Sequence, residues 1–229
     1  MKSIDSDISV EDAIRHSAQS FYQRITHDLT RPIAFEQLSA LCSTLTEELR
    51  GEVLFFGPVL RPLVSHAAAL FTETVMAWFH ADFEASVRQI KQGELPEQAL
   101  RLGTAVDMLQ AQLLQHQLVS VDRLIDTESV FSPLRIAWVS AQQQNFHSYL
   151  DRIMRQENWQ PVDSFTWNTT SAVDFFSMIH QSLSVFCRVL SPIAPHIHDV
   201  NDILYRLIEC YCRSVTRVCI QRVCLSSII

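Results

Sequence analysis

Any chemistry in this chain would have to come from a small set of side chains, and the densest of them is His196-Ile197-His198-Asp199. Two imidazoles and a carboxylate are the beginning of a zinc or iron site, which needs three or four such ligands converging on one ion. On a helix, however, residues two apart diverge by about 200°, and no third ligand stands at a workable spacing. The four residues are read as a polar corner behind Pro192 and Pro195 and ahead of a helix cap. A helical metalloprotein centred on His196 and His198 is the alternative. His116 and His147 are lone histidines on polar faces and take the same structural reading. Gln156-Glu157-Asn158-Trp159 is the second candidate, since an indole beside a carboxylate tunes its proton affinity. The expectation here is that Trp159 inserts between two helices while Glu157 stays in solvent. The third candidate is Arg206, Arg213 and Arg217, spaced seven and four so that they line one side of a helix away from its apolar stripe. Such a line suits acidic helices or an anionic lipid surface, and a merely solvated face is the competing reading. No nucleophile elbow, phosphate loop or dinucleotide fingerprint appears, and with 4 glycines in 229 residues the backbone has few places to approach a phosphate. Neither catalysis nor a cofactor is expected.

Helices must position these residues. The chain is 48% apolar, and three-four spacing recurs throughout with almost no strict alternation, so an all-α protein is expected, an elongated stack of long antiparallel helices. The clearest period lies in 135–161. There Ile136, Val139, Phe146, Leu150 and Ile153 form one stripe, and Gln142, Gln143, Gln144, Ser148, Asp151 and Arg155 fill the other face. Pro133 precedes this helix and Pro161 stops it near Asn158. Upstream, Ser9 with Asp12 resembles a capping box for a helix over 10–28, and a second helix over 33–50 ends at Gly51 as a left-handed cap. An apolar break follows over 51–62. The run 63–92 carries Val64, Phe71, Val75, Phe79, Phe83 and Val87, about thirty residues and so a rod near 45 Å long. A helix over 96–118, a connector over 119–133, a helix over 171–190 and a last helix from Asp199 complete the set. On 171–190 the expected inner face is Val173, Phe176, Ile179, Leu183, Phe186 and Leu190; on the last helix it is Val200, Ile203, Leu207, Tyr211, Val215 and Val218.

The string Asp151-Arg152-x3-Gln156-Glu157-x-Trp159-x-Pro161 ends the central helix, and Ser171-Ala172-Val173 then opens another. This pattern resembles the first Munc-homology region of the MUN domain, found in the Munc-thirteen vesicle-priming factors and their plant and protist relatives. Trp138, Arg152, Gln156, Glu157, Trp159 and Pro161 carry the resemblance, joined by Ser171, Val173, Pro192, Pro195 and Tyr211. It covers 134–215, and upstream only the order of helices and a Phe56-Gly57-Pro58 junction are similar. The resemblance implies a region over 1–133 like the upstream MUN-type bundle, and a first Munc-homology-like region over 134–229. It also implies a non-enzymatic module in vesicle tethering, SNARE assembly and priming for exocytosis, with SNARE or other trafficking proteins as partners and Arg206, Arg213 and Arg217 as candidate contacts. The family's calcium and lipid modules are not among these residues and are not carried over. An unrelated all-helical adaptor or scaffold is the alternative.

The formal net charge of -7 argues against a general nucleic-acid binder. The polar, acidic opening over 1–10 reads as no secretory signal, and no apolar run approaches a spanning length, so a cytoplasmic protein, at most peripheral at membranes, is expected. The six cysteines lack paired spacing and are read as reduced core thiols. The apolar close at Ser226-Ser227-Ile228-Ile229 suggests a piece of a longer chain, as the resembled family continues with further helices.

Overall fold

The computed structural model describes residues 9–60, 66–88, 97–160, 168–190 and 197–226, with backbone alone for 52–57, 60 and 222–226. Among them are seven α-helices and one 3-10 turn, and no strand. The protein is all-α. Its contacts divide it into two compact units, 1–132 and 133–229.

In the first unit α1 (Val10–Ile25) starts where its sequence dictates, because the Ser9 hydroxyl accepts the Asp12 amide at 3.1 Å and acidic Glu11 and Asp12 fill the first turn. Ile14, Ala18, Phe21 and Tyr22 recur at four, three and one and form its buried face. Helix α2 (Phe35–Leu60) buries Leu38, Leu41, Cys42, Leu45 and Leu49. It does not stop at Gly51, and the expected break over 51–62 is overturned as far as Leu60. A glycine inside a helix costs only about 1 kcal/mol, and helix-compatible residues on both sides carry the chain through it. Pro58 lies in the last turn, two residues before the helix ends at Leu60.

Helix α3 (Ala67–Val87) has 21 residues, capped by His66 and Arg88. It is therefore about 32 Å long, shorter than the rod expected over 63–92. Val75, Phe79 and Phe83 are buried as the period requires. Helix α4 (Glu97–Gln115) buries Leu102, Val106, Leu109 and Leu113. Helix α1 packs on α3, and α2 packs on both α3 and α4. The expected connector over 119–133 contains the 3-10 turn Val121–Arg123 and then the start of α5 (Thr127–Gln156). Asp126 sets that start by accepting the Ser129 amide at 3.1 Å. Pro133 consequently lies inside α5 and not before it. Gln110 of α4 pins the connector from within, donating to the Ile125 carbonyl at 3.2 Å and accepting the Ile125 amide at 2.5 Å.

The second unit consists of the rest of α5 with α6 (Thr170–Val189) and α7 (Ile197–Ser226). Its core is aromatic. The buried ring of Phe186 meets Trp138 edge-on at 5.4 Å and Phe146 at 6.0 Å, pairs that contribute about 0.5 to 1.5 kcal/mol each beyond their buried area. Leu150 and Ile153 continue the α5 stripe inward, but Ile136 is 65% exposed, and Trp138 turns into the core of this unit instead. The Gly93 stop, the Pro96 start, Pro161 and the corner at Pro192 and Pro195 lie outside the described residues.

Candidate functional site

The string that ends α5 forms a clasp on the start of α6. After Gln156 the chain turns sharply: Trp159 has φ 62°, in the left-handed region that a residue with a large side chain seldom adopts. A carboxylate and a carboxamide hold the turn. Glu157 Oε1 accepts the Trp159 amide at 2.6 Å, and Asn158 Oδ1 accepts the Gln160 amide at 2.9 Å. The other Glu157 oxygen reaches fourteen residues on and accepts the Ser171 amide at 2.6 Å. This matters because Thr169, the residue at the N-cap of α6, makes no side-chain capping bond. Glu157 supplies from outside the helix the acceptor and the negative charge that an N-terminus favours.

Burial acts to raise the Glu157 pKa, but hydrogen bonds from the Ser171 hydroxyl and amide, the Trp159 amide and the Thr169 hydroxyl outweigh it and hold the carboxyl below the ordinary glutamate range. The expectation of a solvated Glu157 is overturned. Trp159 is partly buried, and its amide makes one of the bonds that hold the turn. The clasp extends to α7: the Ser171 and Tyr211 hydroxyls are 3.3 Å apart, and the Tyr211 ring stacks on Phe175 with centroids at 4.3 Å and planes 8° apart. Glu157, Trp159, Ser171 and Tyr211, four of the positions singled out in the sequence, are thus brought together. Trp138 lies in the core of the same unit, and Arg152 lies over the Tyr149 ring at 4.5 Å. Gln156 is exposed at the end of α5. No sequence signal marked Glu157 as a cap, because its partner is far along the chain.

Two outer faces are apolar enough to bind something. On α6 the buried line is Phe175, Met178, Ser182, Phe186 and Val189; Phe186 and Leu190 are buried as expected, whereas the expected Val173, Phe176, Ile179 and Leu183 stand one or two residues out of step with it. Val173 is 45% and Phe176 63% exposed. The helix is apolar on two sides, with Phe175 and Phe176 adjacent, so its period did not choose between them. An open depression runs along this face, lined by Ala172, Val173, Phe176, Ser177 and His180.

On α7, Val200, Ile203 and Leu207 are buried, whereas Tyr211, Val215 and Val218 are only partly covered. From Ile208 to Gln221 no residue is fully buried. Arg206, Arg213 and Arg217 are exposed as expected; Arg206 lies 3.9 Å from Asp202 and Arg213 2.6 Å from Glu209. Surface pairs one turn apart contribute only a few tenths of a kcal/mol and leave both arginines able to exchange partners. Charge is unevenly divided: residues 1–132 hold 10 basic and 18 acidic side chains, residues 133–229 hold 8 arginines and 7 acids. The acidity of the chain belongs to its first unit.

The cysteines divide as well. Burial pushes the Cys42 thiol up to about 12, in keeping with the expected inert core thiol, but Cys187, Cys212 and Cys219 are exposed and correct that expectation. His198 is exposed on the first turn of α7, and His196 lies outside the described residues. Among the described residues no group of three or more His, Cys, Asp or Glu stands close enough to hold a metal ion. No helix described is long and apolar enough to cross a membrane. Compared with known proteins, the chain matches no protein-family model, no curated protein and no solved structure.

Proposed function

We propose that this chain is a non-enzymatic interaction module of the MUN type, acting in vesicle tethering, SNARE assembly and priming for exocytosis from the cytoplasmic side of membranes. Within this reading its helices form an antiparallel, elongated stack, and a partner helix lies along the open apolar face of α6. The observation that carries it is the clasp: Glu157, Trp159, Ser171 and Tyr211 were singled out by their resemblance to that family, and they bond or pack together around one helix start. The exposed Phe176 and Val173 supply the helix-in-groove chemistry such a module needs. Capture of SNARE proteins from detergent-solubilised membranes tests the proposal. Wild type is expected to retain SNAREs and the Val173→Asp/Phe176→Asp variant to lose them, with circular dichroism unchanged. Equal capture by both proteins overturns the role of α6, and no SNARE capture by wild type overturns the reading in favour of an unrelated helical adaptor.

A further inference from the structure

The outer face of α7 differs in kind from that of α6. At 3.6 residues per turn, Tyr205, Ile208, Cys212, Thr216, Cys219 and Ile220 fall on one side of the helix, opposite the buried Val200, Ile203 and Leu207. Tyr205 is 68%, Ile208 44% and Ile220 58% exposed, and both thiols are exposed. Arg206, Arg213 and Arg217 flank this line. The only acid from Tyr205 through Ser226 is Glu209, and Arg213 neutralises it at 2.6 Å; the same stretch holds four arginines. Asp202, one turn earlier, faces Arg206.

We infer that this face docks on an anionic lipid surface. Its charge selects the occupant. Like the depression on α6, the shallow one here is lined by a single helix, but it carries Arg213 and Arg217, where the α6 depression has no arginine or lysine. A convex helix face fringed by arginine fits a flat, anionic partner. From Tyr205 to Ile220 it extends about 22 Å, with apolar and thiol groups along the middle and arginines at the edge. That is the composition of a helix lying in a membrane interface, where apolar side chains enter the headgroup boundary while arginine stems reach back to lipid phosphates. Charge complementarity points the same way, because residues 205–226 carry four arginines against one acid in a chain whose net charge is -7. The inference stands on α7 and does not depend on the trafficking reading.

The test is co-sedimentation of the full chain with protein-free vesicles of phosphatidylcholine, with and without phosphatidylserine, at low and high salt. Wild type is expected to bind the anionic vesicles and to release them as salt rises. Each arginine near such a surface strengthens binding about fivefold, so Arg206→Gln/Arg213→Gln/Arg217→Gln should weaken it by on the order of a hundredfold at low salt. Tyr205→Ser/Ile208→Ser/Ile220→Ser removes the apolar line, keeps every charge and should also weaken binding, which simple electrostatic adhesion would not show. Both sets replace exposed residues, and circular dichroism confirms the fold. Equal binding to neutral and anionic vesicles, or vesicle binding indifferent to both variants, overturns the inference. So does binding of a soluble acidic helical peptide, with the same arginine dependence, by protein that leaves vesicles untouched: the face then belongs to a protein partner. Because the vesicles carry no protein, this result is separate from SNARE capture.

Discussion

Replacing Glu157 separates a carboxylate that caps α6 from one that is merely wet. Its two oxygens accept two different amides, Trp159 and Ser171, each at 2.6 Å. Hydrogen bonds to a charged group contribute roughly 1.5 to 3 kcal/mol each when buried, and a negative charge at a helix N-terminus about 0.3 to 1 kcal/mol. Glu157 is partly exposed, so the low end applies, and Glu157→Ala should cost about 2 to 3 kcal/mol. Glu157→Gln keeps one acceptor but turns an NH2 toward the other amide, for a cost of about 1 kcal/mol. The pKa is lowered on folding, so this stabilisation is fully present above the ordinary glutamate value of 4.5 and is lost as pH falls through the lower folded value. Wild type and Glu157→Gln should therefore differ at neutral pH and converge on acidification. Urea midpoints at several pH values measure the difference, and amide exchange at Ser171 locates it, with opening about fivefold more frequent in Glu157→Gln near neutrality. A Glu157→Gln variant as stable as wild type at neutral pH, or one whose deficit persists unchanged into acid, would refute the clasp.

Asp82 is the corresponding test in the first unit: it is 9% exposed, accepts the Tyr22 hydroxyl at 2.9 Å and receives Arg31 through two bonds at 2.7 and 3.0 Å. Burial and the neighbouring Asp82 push the Tyr22 phenol far above its ordinary range, so it remains a donor at any working pH. Asp82→Ala strands that buried hydroxyl and should cost about 2 to 4 kcal/mol, whereas Tyr22→Phe leaves Asp82 held by Arg31 and should cost about 1 to 2 kcal/mol; no loss from either variant in denaturant titrations would show that the pairing carries nothing. Two glycines give opposite signs. A Cβ at Gly51 meets nothing within 4 Å, so Gly51→Ala should stabilise α2 by about 1 kcal/mol, and a loss of similar size would restore the left-handed cap. At Gly103 a Cβ would lie 2.7 Å from Phe131 Cδ2, in a ring packed against Phe83 at 6.0 Å, and Gly103→Ala should cost about 1 to 2 kcal/mol in melting experiments despite its better helix propensity.

Helix type and the buried stripe were legible wherever one face is apolar and the other polar, but helix length was not. The capping box at Ser9 and the leucine line of α2 are in place because local bonds and burial agree there. Legibility failed where two local rules conflicted. Gly51 and Pro133 both read as boundaries, yet helix-compatible residues lie on either side of each and the helix runs through, at a cost of a few kcal/mol at most. It failed again where both faces are apolar: Phe175 and Phe176 are adjacent, so spacing alone could not say which turns inward. Of the candidate site, the string around Glu157 was identified by its residues, but its physical role was read wrongly, since a cap supplied fourteen residues away leaves no periodic trace.

The polar contacts missed in the sequence share one geometry. Asp82 on α3 holds Arg31 of the connector after α1, Gln110 on α4 holds Ile125 of the connector before α5, and Glu157 at the end of α5 holds the start of α6. In each case a polar side chain secures backbone or charge where the chain leaves or enters a helix, and where unsatisfied groups would otherwise be left near the core. Within each unit the apolar faces then supply packing while these attachments fix where the helices begin and how their connectors run. Neither task requires Val173, Phe176, Tyr205, Ile208 or Ile220, all exposed and all outside these attachments. Replacing them should leave folding intact, so a binding defect at those positions reports on a surface, whereas a defect at Glu157 or Asp82 reports on the frame that presents it.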